Sequence, residues 1–165
     1  MKTFKNSKKD DFFNKLIKSS LESENDNLII RCKFNFSYMD FNQSAGQTFK
    51  DWGEDKIIKL LKKLIEYSKN SLTYWNNQRV GGASQNVLEV YHTFPRNSDF
   101  IHPSYIPHEV SWARFRLESA VRLIGFVLPK EYYNKKHLAK DIYFDCNTFY
   151  IVFLDENHKF YKTEK

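Results

Sequence analysis

Two strand-like segments separated by three residues constrain the fold of this sequence more than any other feature. Residues 110–117 and 121–128 are both rich in β-branched and aromatic residues, a composition that favours strands. Residues 118–120 between them have a common length for the loop of an antiparallel hairpin. The sequence therefore predicts a hairpin in which Arg116 lies directly opposite Arg122.

Alternation along this hairpin assigns its side chains to two faces. One face is apolar, and the other combines arginines with aromatic residues: Trp112, Arg114, Arg116, Arg122 and Phe126. Like charges directly opposite each other destabilise a sheet, so a face with three arginines is suited to an anion such as phosphate. The alternative is that Glu118, Asp155 or Glu156 neutralises the arginines and leaves the face merely solvated.

The segments upstream of the hairpin predict both strands and helices. Residues 28–36 pass from an apolar run into alternation and predict the first strand. Thr48 and Asp51 resemble a capping box at the start of the clearest helix in the sequence. The apolar stripe of this helix is Ile57, Leu60, Leu61, Leu64 and Ile65. Residues 71–79 predict another helical turn or two, and residues 86–94 could add a strand.

A long connection precedes the last predicted strand. Residues 129–147 are too many for a tight hairpin, and a connection of this length is either functional or decorative. Residues 149–161 are again apolar and aromatic and predict the final strand. The expected fold is therefore α+β, with a small antiparallel sheet packed against the helices that precede it.

The chain is expected to form one domain with an N-terminal addition. Residues 28–165 have a suitable length for a single domain, and residues 1–27 predict a helical extension. The apolar stripe of this extension would be Phe12, Phe13, Leu16, Ile17 and Leu21. The helix could dock on the core, grip RNA or a partner, or lie on a membrane surface, although its acidic residues disfavour the last option.

Composition narrows the class of partner. The 26 lysines and arginines against 20 acidic residues give a formal charge of +6, which favours polyanions such as nucleic acid. The 15 phenylalanines and 10 tyrosines fit either base stacking or a compositional bias. No run approaches ~20 apolar residues and no signal-peptide core is evident, so we expect a cytoplasmic protein without a membrane partner.

Metal binding is a weaker possibility. Two cysteines, Cys32 and Cys146, form neither a disulfide framework nor a zinc signature. Four residues close in sequence have side chains that bind zinc or iron: His92, Asp99, His102 and His108. Their spacing matches no zinc signature, and the prolines nearby explain a rigid loop without an ion. The expectation is therefore a protein with no metal and no cofactor.

The same C-terminal residues resemble the RelE/ParE superfamily of bacterial toxins, and within it the RelE, YoeB and HigB ribonucleases. The likeness lies in the order of three pieces: the Trp-Ala-Arg of residues 112–114, the Arg-Leu-Ile-Gly-Phe of residues 122–126, and the His-Lys-Phe-Tyr of residues 158–161. It covers the last third of the chain well and residues 28–110 more loosely.

This resemblance implies an mRNA interferase: a metal-independent endoribonuclease that belongs to a toxin–antitoxin pair and acts at the ribosome. Its partners would be mRNA, the ribosome and a cognate antitoxin protein. The RNA 2′-hydroxyl would attack the adjacent phosphate, and Arg122 would face that phosphate. Arg114, Arg116 and Trp112 would bind neighbouring parts of the RNA. The alternative is a RelE/ParE-fold module that binds protein or nucleic acid without cleavage.

Proton transfer needs further residues. His158 is the first candidate, since an ordinary histidine pKa of about 6.5 permits both directions near neutral pH. Lys159 and Tyr161 are possible helpers, and Glu109, just before the arginine-rich strand, is a possible general base. The family places histidine and tyrosine next to each other, whereas two residues separate them here. On a continuous strand, His158 and Tyr161 would point to opposite faces.

Overall fold

In the computed structural model, residues 28–81, 85–118 and 120–162 are described, together with Lys8. Apart from Lys8, the predicted helical extension of residues 1–27 lies outside the described residues. The described residues contain five strands and two α-helices. They are β1 (Lys33–Asn35), α1 (Phe49–Tyr67), α2 (Leu72–Asn77), β2 (Leu88–Val90), β3 (Ser111–Arg116), β4 (Arg122–Val127) and β5 (Thr148–Asp155). Neither helix is long and apolar enough to cross a membrane.

The five strands form one mixed sheet in the order β1-β5-β4-β3-β2. The three pairs from β2 to β5 are antiparallel, as expected. Strand β1, however, runs parallel to β5, with Lys33 opposite Thr148. The predicted α+β class is confirmed, whereas the prediction of a wholly antiparallel sheet is wrong. Side-chain alternation identifies a strand but carries no information on the direction of a partner that is distant in sequence.

The hairpin at the centre of the sheet has the predicted register. Arg116 lies opposite Arg122, and Trp112 lies opposite Phe126. The backbone N–H of Leu117 donates to the carbonyl of Val121 at 3.1 Å, next to the loop. The alternation of β3 therefore divides its side chains between the two faces as the sequence predicts.

Strand β4 pairs with β5 through an irregularity between Ile124 and Gly125. A Cβ atom built on Gly125 would lie 2.7 Å from the ring of Phe149. Real Cβ contacts are longer than this, so only glycine allows β5 to approach so closely. The irregularity brings Val152 and Phe153, which are neighbours in sequence, into the same apolar cluster.

Helix α1 begins at the predicted cap and covers one face of the sheet. The Thr48 hydroxyl accepts from the backbone N–H of Asp51, and the Asp51 carboxylate accepts from the backbone N–H of Thr48. Leu60 and Leu64 are buried as predicted, whereas Leu61 and Ile65 are 51% and 63% exposed. The apolar stripe is therefore wider than the surface that the sheet covers.

The sheet separates two apolar clusters. The first lies under α1 and α2 and includes Leu60, Trp75, Phe115, Leu123 and Ile151. The second lies on the opposite face and includes Phe100, Trp112, Phe126, Phe153 and Phe160. The loop between β2 and β3 and the residues after β5 provide much of this second cluster. The arginines predicted to bind phosphate lie on the same face as the second cluster, next to its edge.

Candidate active site

Arg122 and His158 are in direct contact. Nη2 of Arg122 lies 2.8 Å from Nε2 of His158. A guanidinium group can only donate hydrogen bonds, so Nε2 of the imidazole must accept. The contact therefore requires a neutral His158 whose proton is on Nδ1.

The turn after β5 makes this contact possible. Strand β5 ends at Asp155, and His158 adopts a left-handed backbone conformation with φ of 55°. The buried carboxylate of Asp155 accepts from the backbone N–H groups of Asn157, Lys159 and Phe160 at 2.9–3.1 Å. The predicted strand is therefore shorter than expected, and its alternation does not decide where His158 points.

Three arginines surround the contact. Arg122 on β4 lies opposite Arg116 on β3 and opposite Asp155 on β5. Arg122 is only 1% exposed, and its Nη1 donates to the carbonyls of Glu118 and Val121 at 2.8 and 2.9 Å. Burial, together with the charges of Arg114 and Arg116, lowers the pKa of Arg122 to about 10, although Asp155 opposes this effect. We call Arg114, Arg116, Arg122 and His158 the arginine–histidine cluster.

The electrostatics of the cluster keep His158 neutral. Partial burial lowers the pKa of His158 below its usual value, and the positive charges of Arg122 and Arg114 lower it further. Asp155 acts in the opposite direction but does not outweigh these effects. An uncharged imidazole therefore stands ready to accept a proton at neutral pH.

The carboxylates predicted to neutralise the arginines are largely engaged elsewhere. Glu118 pairs with Lys59 at 3.2 Å, and Glu156 pairs with Lys56. Asp155 uses its carboxylate on the backbone of the turn. Within the described part of the chain, no ion pair involves Arg114 or Arg116. These observations favour the anion-binding interpretation of this face.

Strand β2 and the residue that follows it place Glu89 and Tyr91 beside Arg114 and Trp112 on β3. The sequence did not single out either residue. Glu89 lies opposite Arg114, and the backbone N–H of Tyr91 donates to the carbonyl of Trp112 at 2.6 Å. Burial raises the pKa of Tyr91 to about 12, although the charge of Arg114 opposes this. Only the pairing of β2 with β3 reveals these residues, since nothing in the sequence sets the register across the long intervening loop.

Two polar atoms beside the cluster lack well-aligned partners. Nε of Arg114 and the hydroxyl of Tyr91 are buried and make no well-aligned hydrogen bond among the residues that the structure describes, although the two side chains are close enough for Arg114 to act on the pKa of Tyr91. Buried polar atoms are normally satisfied. Buried donors without well-aligned partners beside several arginines are a feature expected of an anion-binding site.

Tyr161 lies next to Tyr91, at the β2 side of the sheet. Its ring stacks on the ring of Tyr91, with centroids 4.9 Å apart and planes at 8°. Tyr161 is exposed, so its outer face is open to solvent. The turn after Asp155 therefore allows both His158 and Tyr161 to approach the arginine-bearing face, in contrast to the expectation from a continuous strand.

The remaining predicted site residues are not brought to the cluster in the same way. Glu109 is exposed before the start of β3, and at ~3.3 Å per residue it lies roughly 20 Å along the strand from Arg116. Lys159 contributes backbone contacts: its N–H donates to Asp155 and its carbonyl accepts from the N–H of Asp99. Glu89 is thus a better positioned carboxylate than Glu109.

Trp112 is part of the core. It is 1% exposed and packs against Phe153, Phe94 and Phe160. A base cannot stack on a ring whose faces are already covered, which corrects the prediction that Trp112 binds RNA. Its position on the arginine-bearing face was correct, but the sequence did not show that the loop between β2 and β3 covers this part of the face.

The histidines considered as metal ligands form a different arrangement. The rings of His102 and His108 stack with centroids 4.4 Å apart, and His102 also contacts Phe94 and Trp112. Among the described residues, no group of three or more His, Cys, Asp or Glu side chains is placed to hold a metal ion. Stacking on aromatic rings accounts for His102 without an ion.

Comparison with protein-family models, with curated proteins and with solved structures finds no match to this chain. The resemblance to the RelE/ParE superfamily therefore stays a prediction. The function has to be argued from the geometry and charge of the arginine–histidine cluster itself.

Proposed function

We propose that this protein is a metal-independent endoribonuclease that cleaves mRNA, and that it acts as the toxin of a toxin–antitoxin pair. The observation that carries the proposal is the 2.8 Å contact between Arg122 and a neutral His158, inside a group of arginines without carboxylate partners for Arg114 and Arg116. A phosphate-binding charge and a proton acceptor thus occupy the same place.

RNA fits this site because it supplies its own nucleophile. Attack by the 2′-hydroxyl on the adjacent phosphorus forms a 2′,3′-cyclic phosphate and breaks the bond to the 5′-oxygen of the next nucleotide. The protein then has to accept the proton of the 2′-hydroxyl, stabilise the charge of the phosphorane and return a proton to the leaving 5′-oxygen. Planar, permanently charged guanidinium groups are well suited to the second task.

The roles of the individual residues follow from their positions. Arg114 and Arg116, which are half-buried, would hold the reacting phosphate from the surface. Arg122, buried behind them, would contact this phosphate through Nη2 where the phosphate displaces His158 from that donor. His158 would accept a proton through Nε2 once the phosphate has taken over the donor bond from Arg122. Glu89, opposite Arg114, is the second proton-transfer candidate. Lys159 and Tyr161 remain possible helpers, while Glu109 has no comparable support.

The order of elements also supports the proposal. A first strand, a helical segment and four strands with antiparallel pairing, with a histidine after the last one, agree with the order that the resemblance to RelE-like ribonucleases implies. The ribosome and a cognate antitoxin protein are the partners that this resemblance suggests. A fold alone does not determine an activity, so the cluster has to carry the argument.

Replacement of His158 tests the proposal directly. Asparagine tolerates the left-handed backbone at this position but cannot transfer a proton, so we expect His158→Asn to fold normally. It should cleave labelled mRNA about 100-fold more slowly or worse, with and without ribosomes and in the presence of a chelator. His137→Asn, an exposed histidine on the long connection, is the matched control and should cleave normally.

The products and the substrate sharpen this test. Fragments should end in a cyclic phosphate, and a single 2′-deoxy substitution at the cleaved nucleotide should block cleavage there. Growth arrest on expression should follow the same pattern among the variants. Undiminished cleavage by His158→Asn, or equal cleavage of the deoxy substrate, would contradict the proposal.

A non-catalytic binding module is the second candidate function. Ile58, Leu61 and Ile65 form an exposed apolar row on α1, which is suited to contact with another protein. Tight, salt-sensitive RNA binding that leaves the RNA intact would favour this candidate over the ribonuclease.

A further inference from the structure

We infer that a cavity beside the arginine–histidine cluster binds the nucleobase next to the phosphate held by the cluster. This inference rests on the proposed function, because it assumes that the cluster binds a nucleotide phosphate. The cavity has a volume of about 380 Å³, within the range of small-molecule sites. It lies between the second half of α1, α2 and the loop end of the β3–β4 hairpin. Its walls include Tyr67, Trp75, Val80, Val87, Arg116 and Glu118.

Aromatic side chains form the rigid part of this cavity. Phe115 stacks on Tyr67, with centroids 4.8 Å apart, and the Tyr67 hydroxyl donates to the backbone carbonyl of Arg116. The indole N–H of Trp75 donates to the carbonyl of Tyr67 at 2.6 Å. Both aromatic residues are thus fixed by packing and hydrogen bonds. Tyr67 and Trp75 are buried and form the rigid base of the cavity. The walls that a flat ring can contact are the half-buried Val80 and Val87.

Arg116 connects the cavity with the cluster. It lines the cavity and lies directly opposite Arg122 on the next strand. Both arginines are the strand residues nearest to the hairpin loop, where the sheet ends and its two faces meet. Directly opposed side chains have Cβ atoms about 5 Å apart, so a phosphate bound at this end of the hairpin would lie close to the mouth of the cavity. A base in the cavity and its own phosphate on the cluster can therefore belong to one nucleotide or to two consecutive ones.

The charges at the rim select the kind of ligand. Lys63 pairs with Glu66 at 2.9 Å, and Lys59 pairs with Glu118 at 3.2 Å. Arg116 is the remaining charged residue of the lining, and its guanidinium group donates to Oε1 of Gln85 at 3.4 Å. A ligand that is uncharged inside the cavity and anionic only at the Arg116 end matches this distribution. A nucleobase with its attached phosphate has this character, whereas a second phosphate group or a wholly apolar chain does not.

The acidic residues at the rim add a preference among bases. The carboxylates of Glu66 and Glu118 each pair with a lysine but keep further lone pairs, so they can also accept from N–H donors on the pairing edge of a base. Guanine, adenine and cytosine carry such amino groups, whereas uracil has a single ring N–H. We therefore expect the cavity to favour bases with an amino group.

Binding of mononucleotides tests this inference without any need for cleavage. Guanosine, adenosine, cytidine and uridine 3′-monophosphates are compared with ribose 5-phosphate, which has the phosphate but no base, by calorimetry on the full chain. We expect at least one amino-bearing nucleotide to bind tenfold or more tightly than ribose 5-phosphate. Equal binding of all five ligands, or no binding of any of them, would overturn the inference.

A variant that fills the cavity locates the site. Val80→Trp places a large side chain at the cavity wall and should abolish the advantage of the nucleotides while ribose 5-phosphate binds as before. Ile101→Trp, at a highly exposed position on the opposite side of the sheet, is the matched control and should keep the advantage. Circular dichroism verifies the fold of both variants. If Val80→Trp does not fold, the comparison of ligands on the unmodified chain still decides.

The outcomes separate this inference from the ribonuclease proposal. Selective nucleotide binding without RNA cleavage would support the inference that the cavity binds a base and would contradict the ribonuclease proposal. Cleavage that is unaffected by Val80→Trp, together with equal binding of nucleotides and ribose 5-phosphate, would contradict base binding in the cavity and leave the ribonuclease proposal supported. His158→Asn should retain the nucleotide preference, because His158 does not line the cavity.

Discussion

Arg122 combines a permanent charge with almost complete burial, and its neighbours explain how this is tolerated. Two backbone carbonyls and the His158 imidazole accept from its guanidinium group. Charged groups are buried only where such partners compensate the loss of water. The same burial limits the motion of Arg122, so a phosphate would meet a guanidinium group already held in position.

The pKa of His158 provides a first prediction. We expect a nuclear magnetic resonance titration to give a pKa below 6.5 for its imidazole in the free protein, because burial and the nearby arginines disfavour the charged form. Inorganic phosphate bound at the arginines should raise this pKa, since it offsets their charge. A pKa at or above 6.5 without phosphate, or no response to phosphate, would contradict the geometry of the cluster.

The same shift has a consequence for stability. Below about pH 6.5 the unfolded chain protonates this histidine before the folded protein does, so the unfolded state binds more protons in this window. The free energy of unfolding should therefore fall as the pH falls from about 6.5 through the lowered pKa. Denaturant titrations at several pH values should show a smaller loss for His158→Asn than for the unmodified chain.

Asp155 provides a second prediction at the scale of the residue. Its buried carboxylate accepts three backbone hydrogen bonds in the turn that carries His158. Asp155→Asn replaces one acceptor oxygen by a donor that faces those N–H groups, so we expect a loss of about 2–4 kcal/mol in the free energy of unfolding. Asp141→Asn, at an exposed position, should change it by less than about 0.5 kcal/mol. Urea denaturation measures both.

At the scale of the element, Gly53 gives α1 an unusual beginning. The first residues after Thr48 are helical, but Gly53 has φ of 66° and ψ of 177° before the helix continues to Tyr67. This conformation is close to the region that only glycine adopts readily. The break explains why the apolar periodicity of the helix becomes regular only from Ile57 onwards.

Gly53→Ala should therefore be destabilising, in contrast to the usual effect of this substitution inside a helix. We expect a loss of about 1–3 kcal/mol, although nothing lies within 4 Å of the added Cβ atom. Thermal and urea denaturation measure the loss, with Lys62→Ala on the exposed side of α1 as the control. A neutral or stabilising effect would show that the backbone at Gly53 relaxes easily.

The strands and loops also show which features of the fold and of the site could be predicted from the sequence. The register of the β3–β4 hairpin was predictable because alternation fixes the faces and a three-residue loop fixes the offset. The sequence likewise indicated Arg122 and His158, which the structure brings together. The approach of Glu89 and the burial of Trp112 were not predictable, because both depend on a loop of about 20 residues between β2 and β3 whose path no local pattern determines.

At the scale of the whole molecule, the net charge of +6 would attract RNA regardless of where the contacts lie. Salt dependence separates this general attraction from specific contacts, because each phosphate contact to a single strand contributes about 0.7 to the slope of log affinity against log salt. Arg114→Gln with Arg116→Gln should therefore reduce the slope by about 1.4.

The matched control removes two charges from a different surface. Lys50→Gln with Lys62→Gln changes exposed lysines of α1 and lowers the net charge by the same amount. Filter-binding titrations over a range of salt concentrations should give this variant a slope close to that of the unmodified chain. Equal reductions in the two double variants would show that RNA responds only to net charge.

The parallel pairing of Lys33 with Thr148 also limits when the sheet can be completed during synthesis of the chain. Strand β1 leaves the ribosome long before β5, and the two strands cannot pair until both have emerged. Contacts so distant in sequence slow folding. Arg122 is likewise synthesised before His158, so the nascent chain presents its arginines before the turn that brings His158 to them can form.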